Sequence, residues 1–235
     1  MSELAILSGG AAQGLVKGLA AEFKERTGLD ITGEFGAVGA MADRLRGGTQ
    51  ADILILTSAL IADLARENLV AANSIADVGR VETSLAVRSA DPLVSAPDAT
   101  SLRAALLKAD AIFVPDTKAS TAGIHVAKVL VQLGIADEVA GRLKIYPNGA
   151  TAMRHLAESS ASRPIGCTQS TEIISTKGVK LSGALPKGFE LAAMYTAAIT
   201  AQAAHAREAQ ILIDLLTAER HQALRRQAGV LDLET

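Results

Sequence analysis

The chain is short of the side chains that many functions depend on. Its 235 residues include one cysteine, no tryptophan, two tyrosines and four phenylalanines. The lone Cys167 excludes an internal disulfide and leaves no thiol cluster for zinc, and His125, His155, His205 and His221 lack metal-ligand spacing among themselves. Neither a metal nor any other cofactor is expected. So few aromatic rings provide few platforms on which bases or sugars stack. The 23 basic and 25 acidic residues are spread along the chain and leave a net charge of -2, which gives no electrostatic footprint for nucleic acid. No run reaches the ~18 apolar residues of a membrane span, so membrane insertion is not expected. No basic segment followed by an apolar one precedes Leu4. A cytoplasmic location is therefore expected for the chain as written, and a periplasmic one if a leader has been removed. Ser-His-Asp spacing and a Walker loop are also missing.

What is present is a globular composition, 49% hydrophobic and 20% charged. The length suits one large domain or two lobes of roughly 100 residues each. The apolar run Leu4-Ala5-Ile6-Leu7 is broken by Ser8-Gly9-Gly10-Ala11 and passes into a helical pattern that puts Leu15, Leu19 and Phe23 on one face. This reads as a strand, a tight turn and a helix N-terminus. Glycines let the backbone approach a ligand closely, and the first helical turn leaves N–H groups without partners, so the turn is a ready anion site.

The same device recurs along the chain. Gly28 ends the first helix, Asp30 to Phe35 is a short strand, and Gly36-Ala37-Val38-Gly39 opens a second helix that stops at Gly47-Gly48. The continuous run from Ala51 to Thr57 suits a strand covered on both faces, with Thr57 and Ser58 capping the next helix. A loop and short strand are expected from Ala71 to Val81, then a strand over Thr83 to Arg88. Ala111 to Pro115 is a strand, and Ser120-Thr121-Ala122-Gly123 opens the helix that runs to Leu133. After a brief strand at Ile145-Tyr146, Pro147-Asn148-Gly149-Ala150 opens another helix. Pro164 to Gln169 is a strand ending at Gln169 and Ser170, Leu191 to Ile199 is a further β run, and one helical region is expected from Ala206 to Ala228. Its Arg220, Arg225 and Arg226 read as a wet helical face. Strands alternating with helices argue for open parallel α/β sheets, which bind ligands at the carboxyl ends of their strands. The four small-residue turns all fall at such ends, two in each half, which predicts two lobes facing each other across one cleft.

Leu7-Ser8-Gly9-Gly10, Gly36-Ala37-Val38-Gly39, Ala51 to Ile55 and Ser120 to Ile124, in that order, resemble the type II periplasmic-binding-protein fold, in the branch of the molybdate-binding proteins of ABC transporters. The likeness runs from Leu4 to about Gly229. It implies an α/β protein of two lobes, each with a mixed sheet, joined by two hinge strands that match Leu85 to Arg88 and Met194 to Ala197. Lobe 1 would hold residues 1–84 and 195–235, and lobe 2 residues 85–194. The family binds its oxyanion with backbone N–H groups, serine hydroxyls in the first two turns and a late tyrosine. Those positions here are Ala11, Ala37 or Val38, and Gln169. The missing hydroxyls imply a ligand other than molybdate.

The resemblance thus implies a binding protein, not an enzyme, that closes on a small oxyanion or organic carboxylate. The ligand-binding residues expected are Ser8, Gly9, Gly10, Ala11, Ala37, Val38, Gly39, Thr57, Ser120, Thr121, Ala122, Ala150 and Gln169. An ABC permease is the implied partner if the protein is exported. The Ser8 to Gly10 loop, Thr57 to Leu60, Ser120 to Gly123 and Gln169-Ser170-Thr171-Glu172 are also similar to aconitate isomerase, an enzyme on this fold that moves a double bond of a tricarboxylate by proton transfer. That alternative needs a general base and donors for carboxylates. Lys118, His125, Gln169 and Tyr195 are the side chains considered, and no catalytic residue is assigned among them. A ligand-sensing domain is a third class, disfavoured because no helix-turn-helix segment precedes Leu4.

Overall fold

The first apolar run forms β1 (Glu3–Gly9) of a computed structural model that describes residues 3–232. A 3-10 turn, Gly10–Ala12, leads into α1 (Gln13–Thr27), which buries Leu15, Leu19 and Phe23 on one face as their spacing predicts. Then come β2 (Asp30–Gly36), α2 (Val38–Arg46), β3 (Ile53–Thr57) and α3 (Ser58–Arg66). The next strand, β4 (Ala76–Arg88), is thirteen residues long. The short strand expected within Ala71 to Val81 is thus the first part of this long one, held by the buried Val78 and Val81.

The chain divides into two compact units, within β4 between Val81 and Glu82 and at the start of the last strand between Ala192 and Ala193. The second unit holds the carboxyl part of β4 and then α4 (Ala99–Lys108), β5 (Ala111–Pro115), α5 (Thr121–Gln132), α6 (Ala136–Val139), β6 (Leu143–Tyr146), α7 (Gly149–Ala157), β7 (Pro164–Gln169), α8 (Ser170–Ser175) and β8 (Val179–Ala184). The short α8 and β8 fall outside the elements expected from the sequence. The first unit is completed by β9 (Ala192–Ile199), α9 (Ala206–Thr217) and α10 (Gln222–Gln227).

Within unit 1 the strand order is β2-β1-β3-β9. β1 runs parallel to β2 and β3, and β9 is antiparallel to β3. Leu4, Ile6, Phe23, Ile53, Leu54, Ile55 and Leu56 are fully buried, and β3 is covered on both faces as its unbroken apolar run requires. The buried Asp52 is satisfied at both oxygens, accepting from the Ala5 N–H at 2.8 Å and the His205 N–H at 2.9 Å. In unit 2 the order is β4-β7-β5-β6, with β5 parallel to β6 and β7, while β4 pairs antiparallel with β7 and β8. Both sheets are therefore mixed, as the resemblance implied; strand and helix alternation alone had pointed to parallel ones.

The expected single C-terminal helix is broken at Ala218. Arg225 is the reason the break is tolerated and a correction to its reading as a wet residue. It is buried, and its Nη1 donates to the carbonyls of Leu216 at 3.0 Å and Ala218 at 2.8 Å, which α9 leaves without partners where it ends.

Candidate functional site

Parallel pairing brings the carboxyl ends of β1, β2 and β3 to one edge of the unit 1 sheet, and a helix or helical turn starts at each. The residue before each start, Gly9, Ala37 and Thr57, has an extended backbone and makes no side-chain capping bond. The hydroxyl of Thr57 thus does not cap α3, contrary to the sequence expectation. α4 shows the contrast: there Asp98 and Ser101 form a full capping box, and the Ser101 N–H holds the Asp98 carboxyl below its usual range. The first-turn donors of α2 and α3 lack such an internal acceptor.

Close packing defines the β1 turn. Gly9 lies against the ring of Tyr195 and the side chain of Val38, and a β-carbon there would stand 2.7 Å from Tyr195 Cε1 and 2.7 Å from Val38 Cγ1. Three elements of unit 1 therefore meet at Gly9, among them the buried Tyr195 of β9. The Ser8 hydroxyl is fully buried and donates within the fold, at 3.0 Å to the Gly9 carbonyl and 3.3 Å to that of Ile55. Ala11 packs into the core, while Gly10 is buried in the turn and Gly39 is half-exposed in the first turn of α2.

In unit 2, α5 and α8 start at the carboxyl ends of β5 and β7. Ser120 precedes α5 and makes no side-chain capping bond; Thr121 is half-buried and Ala122 is buried beside it. The loop before α5 is closed by Asp116, whose Oδ1 accepts from the N–H groups of Lys118 and Ala119 at 2.7 and 3.0 Å. Gln169, 4% exposed, ends β7 opposite Thr83 of β4. Two buried hydroxyls in this unit, Thr83 Oγ1 and Thr171 Oγ1, have no hydrogen-bond partner among the described residues. Unmade bonds of this kind are costly, and sequence reasoning passed over Thr83 because nothing in a strand pattern marks an orphan hydroxyl.

α7 is different. Asn148 caps the Thr151 N–H at 2.8 Å, and the buried carboxyl of Glu172 accepts from the Thr168 hydroxyl at 2.6 Å and lies against Gly149. Burial is the largest influence on Glu172 and pushes its carboxyl above the usual range, against the opposing pull of hydrogen bonding. Ala150, expected to bind ligand, is half-buried in the first turn of α7.

Other candidates have structural partners. His125 Nε2 lies 2.7 Å from the Phe189 carbonyl, Lys118 is exposed, and burial pushes the Cys167 thiol up to about 12. A cavity of about 520 Å³ in unit 2 is lined by Val87, Leu93, Val94, Ala105 and Ile165 with Lys108 at its wall. It lies at the amino-terminal side of β5 and β7, the edge away from the turns, and its lining is mainly apolar. Among the described residues no group of acidic, histidine and cysteine side chains is arranged to hold a metal, and no helix is long and apolar enough to cross a membrane.

A family profile described as bacterial extracellular solute-binding protein matches residues 4–231. An aconitate isomerase from a Pseudomonas species is 23% identical over 230 residues, covering 93% of this chain and 84% of that one. Among solved structures, the periplasmic molybdate-binding protein of Azotobacter vinelandii superposes with a TM-score of 0.81 at 18% identity, covering 99% of this chain and 100% of that one. The sulfate-binding protein of Mycobacterium tuberculosis superposes with a TM-score of 0.78 at 16% identity over 100% and 88%. The fold is thus the α/β fold of the periplasmic binding proteins that the ordered turns resemble.

Proposed function

The chain belongs to the bacterial extracellular solute-binding proteins, and from that premise we propose that it binds a small oxyanion or organic carboxylate through the turns at the carboxyl ends of its strands. One observation carries the reading: parallel pairing brings the ends of β1, β2 and β3 to one edge of the sheet, where Gly9, Ala37 and Thr57 each precede a helical start with an extended backbone and no side-chain cap. Uncapped first turns direct N–H donors and the positive end of the helix dipole at an anion. The α5 start in unit 2 offers donors of the same kind beside Ser120 and Thr121. Charge-assisted hydrogen bonds from backbone groups already held in place are strong and give little away in ordering. The residues Ser8 to Ala11, Ala37 to Gly39, Thr57, Ser120 to Ala122 and Gln169 are the proposed ligand-holding set. Ala11 and Ala37 bring no hydroxyls, which favours a ligand other than molybdate. Ala150, at the start of α7, belongs to the same proposed set.

A second reading, an isomerase of an unsaturated tricarboxylate, is favoured by the similarity to aconitate isomerase over 93% of the chain. It uses the same donors for carboxylates and adds proton transfer. Incubation with cis- and trans-aconitate, followed by chromatography of the products, separates the two. Stabilisation by an anion without interconversion supports the receptor; interconversion above the buffer control supports the enzyme.

A further inference from the structure

Thr83 is buried, and its Oγ1 has no hydrogen-bond partner among the described residues, although its backbone N–H donates to the Leu191 carbonyl at 2.8 Å. The strand register gives this hydroxyl a definite place. Thr83 stands directly opposite Gln169 in the antiparallel pairing of β4 with β7, so the two side chains leave the sheet on one face, with β-carbons about 5 Å apart. Two residues further along each strand, Leu85 and Cys167 continue that face and pack in one cluster with Val126 and Val129 of α5. Thr83 therefore lies on the α5 side of the sheet, at the edge where β5 and β7 end and α5 begins. Valine has the same shape and no bond to leave unmade, so packing alone favours valine here. Rules of this kind are broken where a group is kept for a ligand.

We propose that Thr83 is a ligand-contacting residue of unit 2, whose hydroxyl donates to an oxygen of the anion held at the α5 start beside Gln169. The inference rests on the anion-binding reading above and adds to it a side chain from β4, a strand that ends in no turn. It assigns the hydroxyl its cost and its use: stability is given up in the free protein and recovered when the ligand supplies the acceptor.

The test is thermal unfolding of the parent, Thr83→Val and Thr83→Ser in molybdate, sulfate, citrate and the two aconitates, each against chloride of equal ionic strength. In chloride, Thr83→Val is expected to melt at or above the temperature of the parent. The anion that raises the melting temperature of the parent most is then titrated calorimetrically. Thr83→Val is expected to bind it about tenfold more weakly, while Thr83→Ser, which keeps the hydroxyl, retains the affinity of the parent. A Thr83→Val that melts below the parent in chloride, or fails to fold, would mean that the hydroxyl has an internal partner and overturns the proposal. Parental affinity in Thr83→Val, or an equal loss in Thr83→Ser, overturns this inference alone. No response of the parent to any of the anions overturns the anion-binding reading and this inference with it.

Discussion

Tyr195 and Gly9 are packed so tightly that a β-carbon on Gly9 would lie 3.2 Å from the tyrosine hydroxyl and 2.7 Å from its ring edge. The first turn and the last strand of unit 1 therefore constrain each other. Gly9→Ala is expected to cost about 1–3 kcal/mol by overpacking, measured by urea denaturation. In a Tyr195→Ala background the added cost is expected to fall, leaving only the Val38 contact. Additive effects would contradict the packing described.

Supplying an internal cap separates stability from binding. Thr57 has the extended backbone of a capping residue but makes no capping bond. Thr57→Asp is expected to hold stability level or raise it by up to about 1 kcal/mol, while weakening anion binding by tenfold or more, because the new carboxylate competes for the α3 donors. Calorimetric titration with any anion that binds the parent reads this directly, and undiminished affinity excludes α3 from the site.

The buried Glu172 makes stability depend on pH. Its folded-state pKa is raised above the ordinary 4.5, so its contribution is full below that value and is lost as pH rises through the folded pKa. Glu172→Gln does not titrate there. The melting temperature of Glu172→Gln minus that of the parent is therefore expected to grow as the pH rises above 4.5. A difference that shrinks would mean that hydrogen bonding outweighs desolvation.

Asp98 supplies a control away from the turns. Asp98→Ala removes the α4 capping box and is expected to lower the melting temperature, with no change in anion affinity. A matching loss of affinity would mean that binding follows global stability.

How far the sequence could be read depended on the range of the interaction. The unbroken run Ile53 to Leu56 announced a strand buried on both faces, and Leu15, Leu19 and Phe23 announced the inner face of α1, because these patterns are local. The turns were legible for the same reason: small residues between an apolar run and a helical period mark a strand end. Arg225 was misread because its partners, the carbonyls of Leu216 and Ala218, exist only once α9 ends and the chain folds back. Glu172 packs against Gly149 across more than twenty positions that no sequence period connects. Tyr195 was considered for chemistry, but only the folded chain sets its ring against Gly9.

The central claim is that the uncapped strand-end turns hold a small anion, and the most direct measurement is thermal unfolding in the presence of molybdate, sulfate, citrate and the two aconitates, each against chloride. An anion present at a hundred times its Kd adds about 2.7 kcal/mol to stability. The account predicts that at least one of these anions raises the melting temperature of the parent and that Thr57→Asp responds to it far less. No response to any of them, or equal responses in both proteins, would contradict it.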